Sequence, residues 1–264
     1  MPRGPKLALT KADISVELDS PLVSVNPAAV RAVYDNIGAR VAELVADGST
    51  FQIGIGAVPD AVWRHLSSHR NLTLASGLVS QQFRDLHEAN SLRESANHIA
   101  GVAIGDQDFY QFLSETGLVE FTPASVTHDA GIIGQYKRFT AINSALQIDL
   151  SGQANLEYLD GRVVSGVGGA TDFARGAAAS ESGRSILAMP STAKQGSVSR
   201  IVPKLTTATV SMSRADADTI VTEHGVAYLK NKSIDERAEA MIGIADPRYR
   251  SELTRAWRDA RQMM

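Results

Sequence analysis

The chain has 264 residues, 44% hydrophobic and 21% charged, which fits one large or two small globular domains. Its formal net charge of −3 gives no electrostatic case for a nucleic-acid partner, and the absence of cysteine excludes disulfides, thiolate metal sites and a Cys nucleophile. The first residues, "MPRGPKLALTKADISV", lack a signal-peptide core, and no apolar run approaches the ~18 residues of a membrane span. A cytoplasmic protein without membrane or metal is expected.

Residues 1–25 read as an N-terminal arm, in which "ISVELDSPLVSV" alternates apolar and polar residues until Pro21. From Pro27 to Asp47, apolar residues recur at three- and four-residue steps, which predicts an amphipathic helix starting near its proline. "STFQIGIG" follows as a short buried strand ending in glycines. Helix and strand then alternate: "PDAVWRHLSSH" and "NLTLASG", "QQFRDLHEAN" and "HIAGVAIG", "DQDFYQFLSET" and "LVEFTPA". That alternation argues for a mixed, largely parallel sheet flanked by helices.

The middle, "FTAINSALQIDLSGQANLEYLDGRVVSG", carries turn signals at Ser151-Gly152 and Asp160-Gly161 and predicts a hairpin or meander. "TDFARGAAASES" then reads as helix, "SILAMP" as strand and "STAKQGSVSRIVP" as loop. "DADTIVTEHGVAYLK" predicts a strand and a short connection. Two helices close the chain, the first capped by Ser233. With no linker composition or repeat, residues 26–264 read as one α/β domain.

Two glycine loops precede helical patterns: "GIGAVP" at Gly54 to Pro59, and "GVGG" at Gly166 to Gly169. Backbone N–H groups at such junctions suit a phosphate, a carboxylate or a developing oxyanion, while a short glycine turn is as often purely structural. Neither loop continues into Gly-Lys-Ser/Thr, and Pro59 replaces the third glycine of a G-x-G-x-x-G. The six histidines (His65, His69, His87, His98, His128 and His224) form no HExxH or metal-like spacing. His69 reads as a solvated helix end. Glu223-His224, before Gly225, is open to an acid–base role or a tight turn. Ser191, Lys194 and Arg200 share a hydroxyl-rich loop that suits either a ligand or solvent.

Taken together, "FQIGIGAVPDAV", "FTAINSALQIDLSGQ", "SGVGGATDFARGAA", "SILAMPSTAKQGSVSRIVP" and "IVTEHGVAYLKNKSIDERAEAMIGIADPRYR" resemble the acetyl-CoA hydrolase/transferase family, which includes 4-hydroxybutyrate CoA-transferase. The likeness runs from about Arg3 to Arg261 and corresponds to the C-terminal part of the family protein. It implies an acyl-CoA substrate and a second α/β half, here a partner chain, so an oligomer is expected. Met1 before "PRGP" is compatible with a separate gene product and with a segment cut from a longer protein. The resemblance also implies N–H groups of Gly54 and Gly56 as oxyanion donors beside the thioester. Gly166, Gly168 and Gly169 would lie close to the CoA chain, with Asn143, Ser144 and Lys194 as further neighbours.

The family's chemistry uses a glutamate that attacks the thioester, in a stretch like "HTEMFSDGVVDLVEAG". Anchored on "DLHEAN", the glutamate position falls on Gly77, and "NLTLASGLVS" has no carboxylate. The nearest acids are Asp60 before it and Asp85, Glu88 and Glu94 after it. Glutamyl-CoA transfer is therefore expected to be absent, with no confident catalytic residue. Three alternatives follow. The chain is one subunit of a two-chain enzyme that hydrolyses an acyl-CoA, or opens a ring in a CoA-linked substrate, by general-base chemistry. It is an inactive CoA-thioester-binding or structural subunit. Or it is an unrelated α/β domain.

Overall fold

The computed structural model describes residues 3–6, 8–25, 31–206 and 209–262. The expected helix start at Pro27 lies outside them. Strand β1 (Thr50–Ile53) is followed by β2 (Thr73–Ser80), β3 (His98–Ile104), β4 (Val119–Phe121) and β5 (Phe139–Ser144). Next come β6 (Gln147–Asp149), β7 (Ala154–Asn155), β8 (Tyr158–Leu159), β9 (Arg162–Val163) and β10 (Arg184–Ala188). The last strands are β11 (Thr192–Ala193), β12 (Val198–Ser199), β13 (Ile201–Val202), β14 (Thr219–Thr222) and β15 (Gly225–Tyr228). The helices are α1 (Ala32–Ala42), α2 (Ala57–His65), α3 (Gln82–Glu88), α4 (Gln107–Thr116) and α5 (Ala124–Thr127). They continue with α6 (Ala130–Ile133), α7 (Ala170–Ala179), α8 (Ile234–Gly243) and α9 (Pro247–Gln262).

Among the described residues the main sheet has eight strands, ordered β15-β14-β10-β5-β1-β2-β3-β4. All neighbours pair in parallel except β14 and β15. The largely parallel sheet expected from the sequence is therefore present. The four residues of β1 are all buried, as a central strand covered on both faces requires. On β5, successive side chains separate the two layers. Ile142 joins the cluster of Ile37, Val62 and Trp63 under α1 and α2, while Ala141 packs with Phe173 of α7. A third cluster, with Leu187, Ile220, Met241 and Leu253, seats α8 and α9.

Local signals set several boundaries. Asp106 caps α4 by accepting from Phe109 N–H, and Gly117, at φ 58°, closes it in the left-handed region. Ser233 and Glu236 form a reciprocal capping box at the start of α8. Ser151-Gly152 turns between β6 and β7, and Asp160-Gly161 between β8 and β9, as the turn residues predict.

Three expectations change. "FTAINS" is not part of the meander but a central parallel strand, because its burial between β1 and β10 outweighs the turn signals downstream. The segment after β14 is not a mere connection: β15 pairs antiparallel with it and ends the sheet. His69 is not simply solvated, since Nε2 lies 3.1 Å from Ala42 O and 3.0 Å from Val45 O at the end of α1. The arm from residue 12 to 25 is exposed, carrying Ile14, Val16 and Leu18 into solvent. Its end is tied by the Val25 N–H to Gly105 O, at 3.0 Å. Among the described residues no helix is long and apolar enough to cross a membrane.

His98 on β3 is a core residue, 2% exposed, whose Nδ1 accepts the Leu74 N–H at 3.1 Å. Burial pushes its imidazole down to about 4. Between pH 4 and about 6.5 the unfolded chain therefore binds the extra proton, so stability rises with pH across that window. The contribution is complete above about pH 6.5 and is lost as pH falls toward 4, on the order of 3 kcal/mol at full loss. Urea midpoints measured from pH 4 to 8 are expected to show this slope. His98→Asn, which keeps an acceptor for Leu74, should flatten it.

Candidate functional site

In an open parallel sheet, ligands bind beyond the carboxyl ends of strands, where the chain order reverses. Here the order runs β1 to β4 in one direction and resumes with β5 on the other side of β1. A cleft of about 540 Å³ opens at that point. Its floor comes from the strands: Ile53 at the end of β1 and Gly54 after it, Ser76 and Gly77 on β2, Asn143 and Ser144 on β5, and Met189 after β10. Residues Ser165 to Gly169, together with Phe173 of α7, form one wall. A second hollow, lined by Thr50, Thr73, Arg93 and Arg138, lies at the amino ends of the strands.

Both glycine loops reach the cleft and lead directly into helices, Gly56 as the N-cap of α2 and Gly169 as the N-cap of α7. Their glycines differ in what they do. The Gly54 N–H donates to Ile142 O at 2.8 Å, so the sheet has already engaged one of the two expected oxyanion donors. A Cβ at Gly54 would also fall 2.9 Å from Asn143 Oδ1, which explains the missing side chain. Gly56, at φ 116°, has open space around it. Gly166 and Gly168 likewise face open space at the cleft, and Gly168 has φ 58°.

Asn143 and Gln52 exchange two side-chain amide hydrogen bonds, each 3.1 Å, across β5 and β1. The buried Asn143 amide is thus held rigidly on the cleft floor. Ser144 Oγ, next to it, is buried with no hydrogen-bond partner among the described residues. Lys194 lies outside the lining, its ammonium 3.2 Å from Asp160 Oδ2. Ser191 and Glu223 also lie outside. Ser191 donates its N–H and Oγ–H to the Glu223 carboxylate at 2.8 and 2.7 Å, which makes Glu223 the clamp of that loop. Arg200 does line the cleft. Burial lowers its guanidinium from the usual arginine range, while Tyr34 and Glu223 nearby favour the charged form.

Gly77 sits on β2 facing the cleft, and the space its side chain would occupy is filled. A Cβ there would fall 2.7 Å from His128 Cε1 and 2.9 Å from Nε2. A Cβ at Gly169 would meet the same ring, at its Cδ2 and 2.5 Å from Nε2. His128 ends α5, half-buried, with Nδ1 2.8 Å from Thr127 Oγ1 and its ring 4.9 Å from that of Phe173. Among the described residues no aspartate or glutamate lines the cleft, Asp60, Asp85, Glu88 and Glu94 included. His128 had no motif to mark it. The usable signal was a glycine inside a predicted strand, which often records the close approach of another group.

Comparison with known proteins places these features in a family context. Residues 105–257 match the acetyl-CoA hydrolase/transferase C-terminal domain. The chain is similar to 4-hydroxybutyrate coenzyme A transferase of Clostridium kluyveri, 38% identical over 248 residues, covering 91% of this chain and 58% of that protein. It is also similar to acetyl-CoA hydrolase of Eremothecium gossypii, 30% identical, with 81% and 42% covered. The crystal structure of RipA from Yersinia pestis superposes with a TM-score of 0.86 at 35% identity, over 92% of this chain and 56% of that one. A 4-hydroxybutyrate CoA-transferase structure from Porphyromonas gingivalis gives 0.80 at 33%, with 94% and 60% covered. The chain thus spans rather more than half the length of the Clostridium transferase and of both solved structures, and less than half of the Eremothecium hydrolase.

Proposed function

The chain belongs to the acetyl-CoA hydrolase/transferase family, and from that membership we propose that it binds an acyl-CoA thioester for hydrolysis rather than glutamyl transfer. The observation that carries this reading is the cleft floor. Gly77, where the resemblance puts the nucleophilic glutamate, lines it, and no carboxylate among the described residues does. An acyl anhydride needs a carboxylate on the enzyme; attack by water needs only a base and a place for the developing oxyanion.

In this reading the thioester lies over the β1–β5 crevice, with the Gly56 N–H facing its carbonyl oxygen and Asn143 and Ser144 beneath. Gly166, Gly168 and Gly169 flank the CoA chain. A second chain resembling the family's other half completes the site from above, so the working form is a hetero-oligomer, with the cytoplasm as its setting. The rim supports that arrangement: Ile55, Val102 and Val167 line the cleft yet are 69%, 49% and 60% exposed. Apolar residues grouped at a cleft mouth suit a protein partner.

Calorimetry with acetyl-CoA tests the binding half of the proposal. Gly168→Asn and Gly168→Trp both place a side chain at φ 58°, a region asparagine tolerates best. The Asn variant therefore reports backbone strain, and the Trp variant adds bulk at the cleft. Wild type and Gly168→Asn are expected to bind within about threefold of one another, and Gly168→Trp at least tenfold more weakly. Equal affinity for all three, with each still folded, removes this loop from the site.

A further inference from the structure

We propose that His128 is the catalytic base of this site, taking a proton from water at Nε2 as the water attacks the acyl-CoA carbonyl. The inference deepens the hydrolase reading and rests on it. Two glycines from distant parts of the chain, Gly77 on β2 and Gly169 before α7, both lack side chains where one ring passes. A Cβ on either would come within 2.9 Å of the same atom, Nε2. The imidazole therefore stands over the root of the absent glutamate side chain, and it does so at the cleft lining.

The ring is held in a form suited to the task. Phe173 packs beside it with centroids 4.9 Å apart, and Thr127 Oγ1 lies 2.8 Å from Nδ1. When Nδ1–H donates to that hydroxyl oxygen, the lone pair is on Nε2, and the same hydrogen bond persists after Nε2 is protonated. Gly77, Gly169, Phe173 and Thr127 face the ring, and none of these four is ionisable. Asp129, its chain neighbour, caps α6 by accepting the Ile132 N–H at 2.9 Å.

The step balances without another reagent. The oxygen of water bonds to the carbonyl carbon as its proton passes to Nε2, which gives a tetrahedral oxyanion. Collapse of that oxyanion breaks the C–S bond. The CoA thiolate takes the proton back from the imidazolium, leaving the free acid, CoA thiol and neutral His128.

The test compares wild type with His128→Ala in the full assembly, using acetyl-CoA. A positioned base contributes about 10²- to 10⁴-fold. The variant should lose that factor in kcat while acetyl-CoA affinity stays within threefold. The acid limb of the wild-type pH–rate profile should vanish, and added imidazole should restore part of the rate. Bromoacetyl-CoA supplies a readout independent of turnover: its CH2–Br carbon is expected to alkylate Nε2 of His128, with loss of bromide, unless excess CoA is present. Retained kcat with an unchanged acid limb overturns the proposal. So does intact CoA binding with no label on His128. If neither CoA nor acetyl-CoA binds at all, the functional reading beneath it fails first, and the base assignment falls with it.

Discussion

Gly77→Glu, which restores the atoms of the expected nucleophile, should destabilise the protein by about 1–3 kcal/mol and give no acyl transfer. The backbone is not the obstacle, because Gly77 is not among the glycines with positive φ. The obstacle is the imidazole, which a Cβ at this position would approach to 2.7 Å. Gly169 and Phe173 also lie against the ring, so its movement is restricted. The carboxylate and His128 therefore compete for one space.

Removing the ring should relieve the strain. The pair Gly77→Glu with His128→Ala is expected to be more stable than the sum of the single changes by about 1 kcal/mol or more, as contacting sites allow. Urea unfolding of the four proteins measures this coupling. Treatment with acetyl-CoA and then borohydride, followed by mass spectrometry, should find a modified residue 77 in the double variant and none in the single one. Additive stabilities, or an adduct in Gly77→Glu alone, would show that the ring does not occupy the nucleophile's place.

Gly169→Ala should cost about 10²-fold in hydrolysis, the scale of a 1 Å misplacement of a reacting group. Here too the backbone accepts a side chain, since φ is −100° and ψ is 7°. The new methyl would fall 2.5 Å from His128 Nε2 and 3.0 Å from Phe173 Cε2, so the ring has to move. Gly166→Ala is the matched control: nothing lies within 4 Å of its Cβ, and its φ is not positive. Steady-state kinetics should therefore place the Gly169→Ala effect in kcat and any Gly166→Ala effect in KM. A kcat for Gly169→Ala within threefold of wild type would contradict the assigned role of the ring.

The alternating architecture was legible because it is written in local chemistry. Runs such as "TFQI" and "TIVT" between turn signals form buried strands, while Ser233 marks a helix start through hydrogen bonds to its own neighbours. Ser151-Gly152 and Asp160-Gly161 mark hairpins for the same reason. The resemblance implies Gly77 as the position of the family glutamate, an expectation about one residue that needs no coordinates.

What fills that position was a tertiary question. His128 lies far from both Gly77 and Gly169 along the chain, and only the parallel crossovers from β2 through α5 to α7 bring the three together. The fate of the Gly54 N–H depended likewise on β5 crossing back beside β1, where Ile142 O accepts it. Lys194, an expected neighbour of the ligand, pairs with Asp160 at the turn of the β8–β9 hairpin. Sequence by itself determined the alternation of most helices and strands, the Ser233 cap and the two hairpin turns, since each depends on residue type and near neighbours. The meeting of His128 with Gly77 and Gly169, the engaged Gly54 amide and the Lys194–Asp160 pair depend on which strand ends the sheet order places side by side, and that was decided only in three dimensions.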